Sequence, residues 1–188
     1  MWTRHIARRL RASASPLLLL GAALCPLGMA APAAAQVVEP AEARAIMLRR
    51  LAFFRVDDLD FGSIVPGPAA GVVRIHPDGS RTATGGVTLA GSDHRPARFA
   101  GMGSYNQQVR IHLSSNTIQL TGPGAPMTVS QFEIGSDPTA ILSTSPTSFR
   151  IASTNGTFVF PIGGRLAVGA NQAPGVYAGT FTITLNYM

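Results

Sequence analysis

The chain is nearly free of cysteine and contains no lysine. Charged residues make up only 13% of its 188 residues, whereas hydrophobic residues make up 46%. So little charge excludes a solvated, disordered polyelectrolyte, and so much apolar material is enough for one packed core. The single cysteine, Cys25, lies close to the N-terminus.

The first 35 residues have the organisation of a secretory signal peptide. A basic start is followed by an apolar stretch over residues 16–30, and Ala33–Ala35 supply the small residues of a cleavage site. The basic residues are Arg4, Arg8, Arg9 and Arg11. A permanent membrane anchor is disfavoured, because Pro26 and Gly28 interrupt an apolar stretch that is short of the roughly 20 residues needed. We predict export to the periplasm, cell surface or medium, with cleavage between Ala35 and Gln36.

Removal of this leader changes the chemistry of what remains. The mature chain has no thiol, so it forms no disulfide. Four of the 15 arginines and none of the 9 acids leave with the leader, so the net charge falls from +6 to +2. No basic run remains to mark a nucleic-acid partner, and no second apolar run is long enough for a permanent membrane span.

After an N-terminal segment, residues 36–50, the chain consists of short strand-like runs separated by Gly, Pro, Ser and Asn. A spacing of about 8–12 residues between turn signals is typical of an antiparallel β-sandwich or barrel. We predict an all-β sandwich over residues 51–188. The runs are Val72–His76, Arg81–Thr84, Val87–Ala90, Arg95–Ala100, Gln108–Ser114, Thr117–Thr121 and Met127–Ile134.

One segment is open to two interpretations, and two later ones carry a single expectation each. Residues 43–56 contain good helix formers, but Leu51–Val56 resembles a strand, and we favour a strand entering the sheet. In the next block, Leu59 and Phe61 are expected to point inward, and Pro66-Gly67-Pro68 to end the strand. Pro77-Asp78-Gly79-Ser80 predicts a tight turn.

Asn155-Gly156 is the strongest hairpin signal in the chain, because a type I′ turn needs positive φ at both central residues. A turn there would pair Ser153 with Phe158, Ile151 with Phe160, and Phe149 with Ile162. Side chains alternate along strands, so Phe149, Ile151, Phe158, Phe160 and Ile162 would share one buried face.

The last fourteen residues, starting at Gly175, alternate between an apolar face and a threonine-rich face. This pattern predicts a strand that either closes the sandwich or, as an edge, recruits another chain by strand addition. The candidate partner-binding residues are Gly175, Tyr177, Phe181, Ile183, Leu185 and Tyr187.

Several blocks together resemble the domain of unknown function 4402, a family of exported, β-rich bacterial proteins with no assigned activity. The blocks are Asp58–Gly67, His76–Arg81, Thr84–Leu89, Leu166–Gln172 and Gly175–Phe181. The C-terminus, with its penultimate Tyr187, also resembles spore coat U and chaperone–usher pilin subunits. That resemblance implies an immunoglobulin-like sandwich whose C-terminal strand pairs with a periplasmic chaperone or a like subunit. The missing disulfide and the irregular alternation of residues 36–50 depart from the pilin pattern.

No catalytic constellation stands out. Asp57, Asp58 and Asp60 are close together, but a strand edge carrying three acids is usually a solvated face, and calcium wants six to eight oxygens. His76, His94 and His112 have no metal-ligand spacing, and there is no Gly-x-Ser-x-Gly elbow. Gly85-Gly86 and Gly163-Gly164 are interpreted as turn glycines. We expect no enzyme activity, no cofactor and no metal.

Two functions remain open. The first is an exported structural or assembly protein, such as a pilus-like subunit, that acts through its C-terminal strand. The second is a self-sufficient sandwich that binds a ligand through loops at one end, with Gly91–Arg95 and Gly101–Gln107 as candidates. Tyr105, Asn106 and Gln107 would supply its adaptable contacts.

Overall fold

The computed structural model describes residues 42–136 and 139–188, and residues 45–188 form its compact unit. The predicted leader, its cleavage site and Cys25 lie outside the described residues. All regular elements in the described part are strands, so it holds no helix that could cross a membrane. They are β1 Ala52–Asp57, β2 Ser63–Ile75, β3 Arg81–Ala90, β4 Ala97–Met102, β5 Gln108–Leu113, β6 Thr117–Leu120, β7 Met127–Ile134, β8 Ala140–Leu142, β9 Thr147–Arg150, β10 Thr157–Val168 and β11 Ile183–Tyr187.

Strand β10 lies at the centre of the larger, eight-stranded antiparallel sheet. Its Ile162 pairs with Ala97 of β4 and with Ile134 of β7, so these two strands lie on opposite edges of β10. Further along, Arg165 pairs with both β2 and β7, so β2 follows β4 along one edge. Strand β1 lies outside β4, β3 lies outside β2, and β6 and β8 both flank β7.

The second sheet has three antiparallel strands in the order β11-β5-β9. Alternate residues of β5 are buried, namely Val109, Ile111 and Leu113, as are Ile183 and Leu185 of β11. The two sheets therefore enclose one apolar core, as the predicted all-β sandwich requires.

Phenylalanines form the middle of this core. Phe99 of β4 stacks on Phe160 of β10 with ring centroids 5.5 Å apart, and it meets Phe181 edge-on at 6.3 Å. Phe181 also contacts Phe132 of β7 at 5.1 Å. Because Phe181 lies just before β11, this chain of rings links the larger sheet to the segment that leads into the smaller one.

The predicted turn at residues 77–80 is confirmed, and it joins β2 to β3. The N–H of His76 donates to the Ser80 carbonyl at 2.9 Å, and Gly79 has a φ of 90°. The Ser80 hydroxyl and N–H both donate to Asp78 Oδ1, at 2.7 and 2.8 Å. These bonds, the hydroxyl first, lower the pKa of Asp78 below its ordinary value because they favour the charged carboxylate.

The strand boundaries near Pro and Gly differ from the predictions. Pro66-Gly67-Pro68 does not end a strand, because β2 continues through it with an irregularity between Pro66 and Gly71. Gly85-Gly86 lies opposite that irregularity, inside β3, and Gly163-Gly164 lies inside β10. These glycines are not in turns. At Gly86 a Cβ would collide with the Ala69 carbonyl oxygen, so glycine permits the close approach of the two strands.

The predicted hairpin at Asn155-Gly156 is wrong in its pairing. The Gly156 N–H donates to the Ser153 carbonyl at 2.8 Å, which makes a turn, but among these residues only Gly156 has positive φ. The chain uses this turn to pass from the small sheet to the large one, since β9 pairs with β5 and β10 pairs with β4.

The apolar face inferred from that hairpin does point into the core. Ile151, Phe160 and Ile162 are buried, and Phe149 meets Phe158 edge-on at 5.6 Å. These side chains meet across the interior of the sandwich, not side by side on one ribbon. The strand preferred for the first segment is confirmed over β1, and residues 42–51 carry no regular structure.

Candidate partner-binding surface

The C-terminal strand is shorter than its alternation suggested. Only Ile183–Tyr187 forms a ladder, whereas residues 169–182 cross from the large sheet to the small one without regular pairing. Along that crossing, Thr121 and Ala178 form an isolated bridge, with N–H···O distances of 2.9 and 3.0 Å. The six candidate residues thus divide into a crossing group, Gly175, Tyr177 and Phe181, and a strand group, Ile183, Leu185 and Tyr187.

Strand β11 forms one edge of the small sheet. It pairs with β5 in the antiparallel register Thr184↔His112 and Asn186↔Arg110. Within the described residues no strand pairs with its other side. An edge of this kind presents backbone N–H and C=O groups to a further strand.

The register determines which backbone groups are free. The Ser114 N–H donates to the Thr182 carbonyl, and the Met188 N–H donates to the Gln108 carbonyl. In an antiparallel ladder the hydrogen-bonded positions alternate, so the even-numbered residues 184 and 186 bond to β5. The backbone groups of Ile183, Leu185 and Tyr187 therefore point to the open edge.

A cleft of about 900 Å³ with both apolar and polar walls lies next to the crossing segment. Residues of β2, β4, β6, β7 and β10 line it together with residues 58–62 and residues 172–181, of which Phe181 lies two residues before β11. Its apolar walls include Phe61, Ile64, Phe99, Ile118, Val129 and Leu166. Of these residues, Phe61, Phe99, Val129 and Leu166 are buried, whereas Ile64 and Ile118 are half-buried.

The rim of the cleft is charged. Arg55 pairs with Asp58 at 2.6 Å, and Arg95 approaches Asp60 at 3.6 Å. Asp93 lies on the same rim. An occupant would therefore bury apolar groups in the cleft and meet both signs of charge at its mouth.

The two tyrosines of the candidate set act as internal anchors. The Tyr177 hydroxyl accepts hydrogen bonds from the Gly124 N–H at 2.9 Å and from Gln172 Nε2 at 2.8 Å. It donates to the Ala173 carbonyl at 2.9 Å. Gln172, which is buried, also donates to the Ala125 carbonyl at 2.6 Å. This network ties the crossing segment to the loop between β6 and β7, and the sequence pattern did not reveal Gln172 as part of it.

Tyr187, at the C-terminal end of β11, is likewise held by hydrogen bonds within the chain. Its hydroxyl accepts a hydrogen bond from the Ser104 N–H at 2.7 Å and donates to the Arg49 carbonyl at 2.8 Å. The Arg49 N–H in turn donates to the Ser104 hydroxyl at 2.7 Å. The side chain of Tyr187 is therefore occupied within the chain, whereas its backbone groups face the open edge.

Residues 51–187, which contain all the described strands, match the family described as a domain of unknown function (DUF4402). The chain belongs to this family. No curated protein matches it, and no solved structure does. The function must therefore be inferred from the geometry of the DUF4402 domain itself.

The two loops considered for ligand binding lie at opposite ends of β4 in the DUF4402 domain. Gly91–Arg95 precedes that strand, and Gly101–Gln107 includes its last two residues and the turn after it. A six-residue strand is about 20 Å long, so the loops do not form one site. The first loop contributes to the cleft rim, and Ser104 of the second is held by Tyr187.

The acidic cluster of the DUF4402 domain is neutralised by arginines. Asp57 lies 3.8 Å from Arg98, and Asp58 and Asp60 have the partners already described. Among residues 42–136 and 139–188 no group of three metal-ligating side chains is present. His76 contacts Glu133, whereas the Nδ1 atoms of His94 and His112 are buried without a partner in the described part of the chain.

Proposed function

We propose that this protein is an exported structural or assembly subunit, pilus-like or surface-located, that joins like subunits by β-strand addition at β11. In this proposal the sandwich is immunoglobulin-like, and a periplasmic chaperone is a second partner for the same edge. The observation that carries the proposal is an open strand edge close to a cleft with partly apolar walls.

The geometry supports strand addition in two ways. Ile183, Leu185 and Tyr187 offer unpaired backbone groups, which give affinity without a particular sequence. A strand paired with them and continued past residue 183 would run along the crossing segment beside the cleft. Its alternate side chains would then fill space next to Phe99 and Phe181, where side-chain size gives specificity.

A backbone substitution tests strand addition at β11 without altering a single side chain. Residues 178–188 can be made by synthesis and ligated to residues 36–177 through a cysteine at position 178. Desulfurisation then restores Ala178, because the mature chain has no other thiol. Replacing the Leu185 amide by an ester removes one open-edge N–H, and the same change at Thr184 removes an N–H that bonds to β5.

We expect the unmodified chain to form concentration-dependent oligomers in native mass spectrometry. The ester at Leu185 should weaken association about three- to tenfold, the loss of one hydrogen bond, and lower the melting temperature of the monomer only slightly, because it also makes the Thr184 carbonyl a weaker acceptor for β5. The ester at Thr184 should lower that melting temperature. A chain that stays monomeric at every concentration, or association that is indifferent to the Leu185 ester, contradicts the proposal.

The alternative, a self-sufficient binding module, has one supporting observation. The Gly91–Arg95 loop places Asp93 and Arg95 on the rim of the cleft, and ligand sites commonly combine an apolar interior with a few polar groups. A stable monomer that takes up an apolar probe such as anilinonaphthalene sulfonate, and releases it in Ile118→Trp, would favour this function.

A further inference from the structure

The outer face of the large sheet brings two arginines together in register. Arg74 of β2 and Arg165 of β10 are direct cross-strand partners. Their neighbours Val73, Ile75 and Leu166 are buried, so both arginines lie on the face that points away from the core. Like charges placed directly opposite each other destabilise a sheet. The pair therefore needs compensating negative charge.

Only Arg74 has a compensating negative charge within reach. Arg74 donates to Glu133 Oε1 at 3.0 Å and to Gln131 Oε1 at 2.6 Å. The second oxygen of Glu133 lies 3.4 Å from His76 Nδ1. Glu133 is thus shared by two basic side chains. Arg165 has neither an ion pair nor a hydrogen bond within the described part of the chain.

The arginines line a depression of about 320 Å³ that has further polar groups. Thr82, the neighbour of Arg74 in β3, and Thr84 are exposed on the same face and line it as well. Ser130 of β7 is the cross-strand neighbour of Arg165 on the other side. Hydroxyls and guanidinium groups are hydrogen-bond donors that suit phosphate, sulfate and carboxylate groups.

We propose that this depression is an oxyanion-binding site in which Arg165 makes the principal contact and Arg74 the second. Its ligand is a phosphate, sulfate or carboxylate group, free or carried on a larger molecule. The site lies on the outer face of the sheet, away from the cleft, and does not depend on strand addition. Binding supplies the negative charge that Glu133 alone does not provide.

The test follows the arginine Nε–H signals of residues 36–188 in ¹H–¹⁵N spectra while sodium phosphate replaces sodium chloride at constant ionic strength. Parallel titrations with sulfate and acetate identify the preferred oxyanion. We expect saturable shifts at Arg165 and Arg74. No such shift is expected at Arg110, which is exposed on the small sheet and likewise has no partner in the described chain.

Three variants make the test specific. Arg165→Gln should weaken binding about fivefold or more, and Arg110→Gln should leave it unchanged. Glu133→Gln keeps an acceptor for Arg74 and removes the competing charge, so it should tighten binding about threefold. Shifts that never saturate for any anion, or Arg74 shifts that saturate with unchanged affinity in Arg165→Gln, overturn the proposal, as does weaker binding in a folded Glu133→Gln variant.

Discussion

Tyr177 illustrates how one side chain can satisfy a sequence pattern for an unexpected reason. Its apolar parity placed it on a strand face expected to meet a partner. Instead, the hydroxyl closes three hydrogen bonds inside the chain, to Gly124, Gln172 and Ala173. Tyr177 alternates with its neighbours because its ring turns inward. Its role is to hold the crossing segment in place.

Tyr177→Phe should therefore lower stability in the isolated chain. Loss of the hydroxyl leaves the Gly124 N–H and a half-buried network unsatisfied, at an expected cost of about 2 kcal/mol in the free energy of unfolding. Urea denaturation of residues 36–188 measures the change. Tyr105→Phe is the matched control, since Tyr105 is exposed, and it should shift stability by less than about 0.5 kcal/mol. Equal stabilities of the two variants would refute the anchoring role.

At the scale of elements, the β2–β3 hairpin combines a close backbone contact at Gly86 with side-chain hydrogen bonds from Arg81. Arg81, the first residue of β3, strengthens its far end by donating to the carbonyls of Phe61, Ala90 and Gly91, at 2.9, 3.1 and 2.8 Å. The fork of a guanidinium group can reach all three, which a lysine ammonium on a single stem would not do.

Gly86→Ala tests the close approach within this hairpin. Its Cβ would meet the Ala69 carbonyl, so β2 and β3 must separate, and overpacking of this kind costs about 1–3 kcal/mol. Hydrogen exchange should show faster opening of the β2 and β3 amides. Thr88→Ala, an exposed position in the same strand, should leave those rates nearly unchanged. Unchanged exchange in Gly86→Ala would show that the strands are free to separate.

For the whole molecule, the crossing segment determines whether the sandwich is closed. It enters no regular ladder, and its attachment rests on the Tyr177 network, the Thr121–Ala178 bridge and the ring of Phe181. Phe181 contacts Phe99 and Phe132 of the large sheet immediately before the chain enters β11.

Phe181→Ala should thus destabilise the entire domain. Removing the ring enlarges the cleft and loosens the link between the sheets, at a cost of about 3 kcal/mol. Phe54→Ala removes the same group from a side chain that is 65% exposed, and we expect a change within about 0.5 kcal/mol. Thermal melts of both variants measure the two losses of stability. Comparable losses would mean that the crossing segment contributes nothing to closure.

The tertiary structure also decides which edge is available to a partner. Alternation predicted the inward parity of Ile183 and Leu185 correctly, but it could not reveal that β5 occupies only one side of β11. The cleft could not be predicted from the sequence, because its walls come from segments as distant as Phe61 and Phe181. The proximity of Arg74 and Arg165 could not be predicted either, since it arises from the register between β2 and β10.

By itself the sequence determined the all-β class, the turn at Pro77–Ser80 and the buried side of the strands that carry Phe160 and Ile183. Those properties depend on a few neighbouring residues, through turn chemistry and a period of two. Only the tertiary structure decided which strands pair. Phe149 and Phe160 have inward parity in either arrangement, yet they face each other between two sheets instead of sharing a hairpin. Alternation specifies a face but not a neighbour, and neighbours are chosen when distant segments close one core.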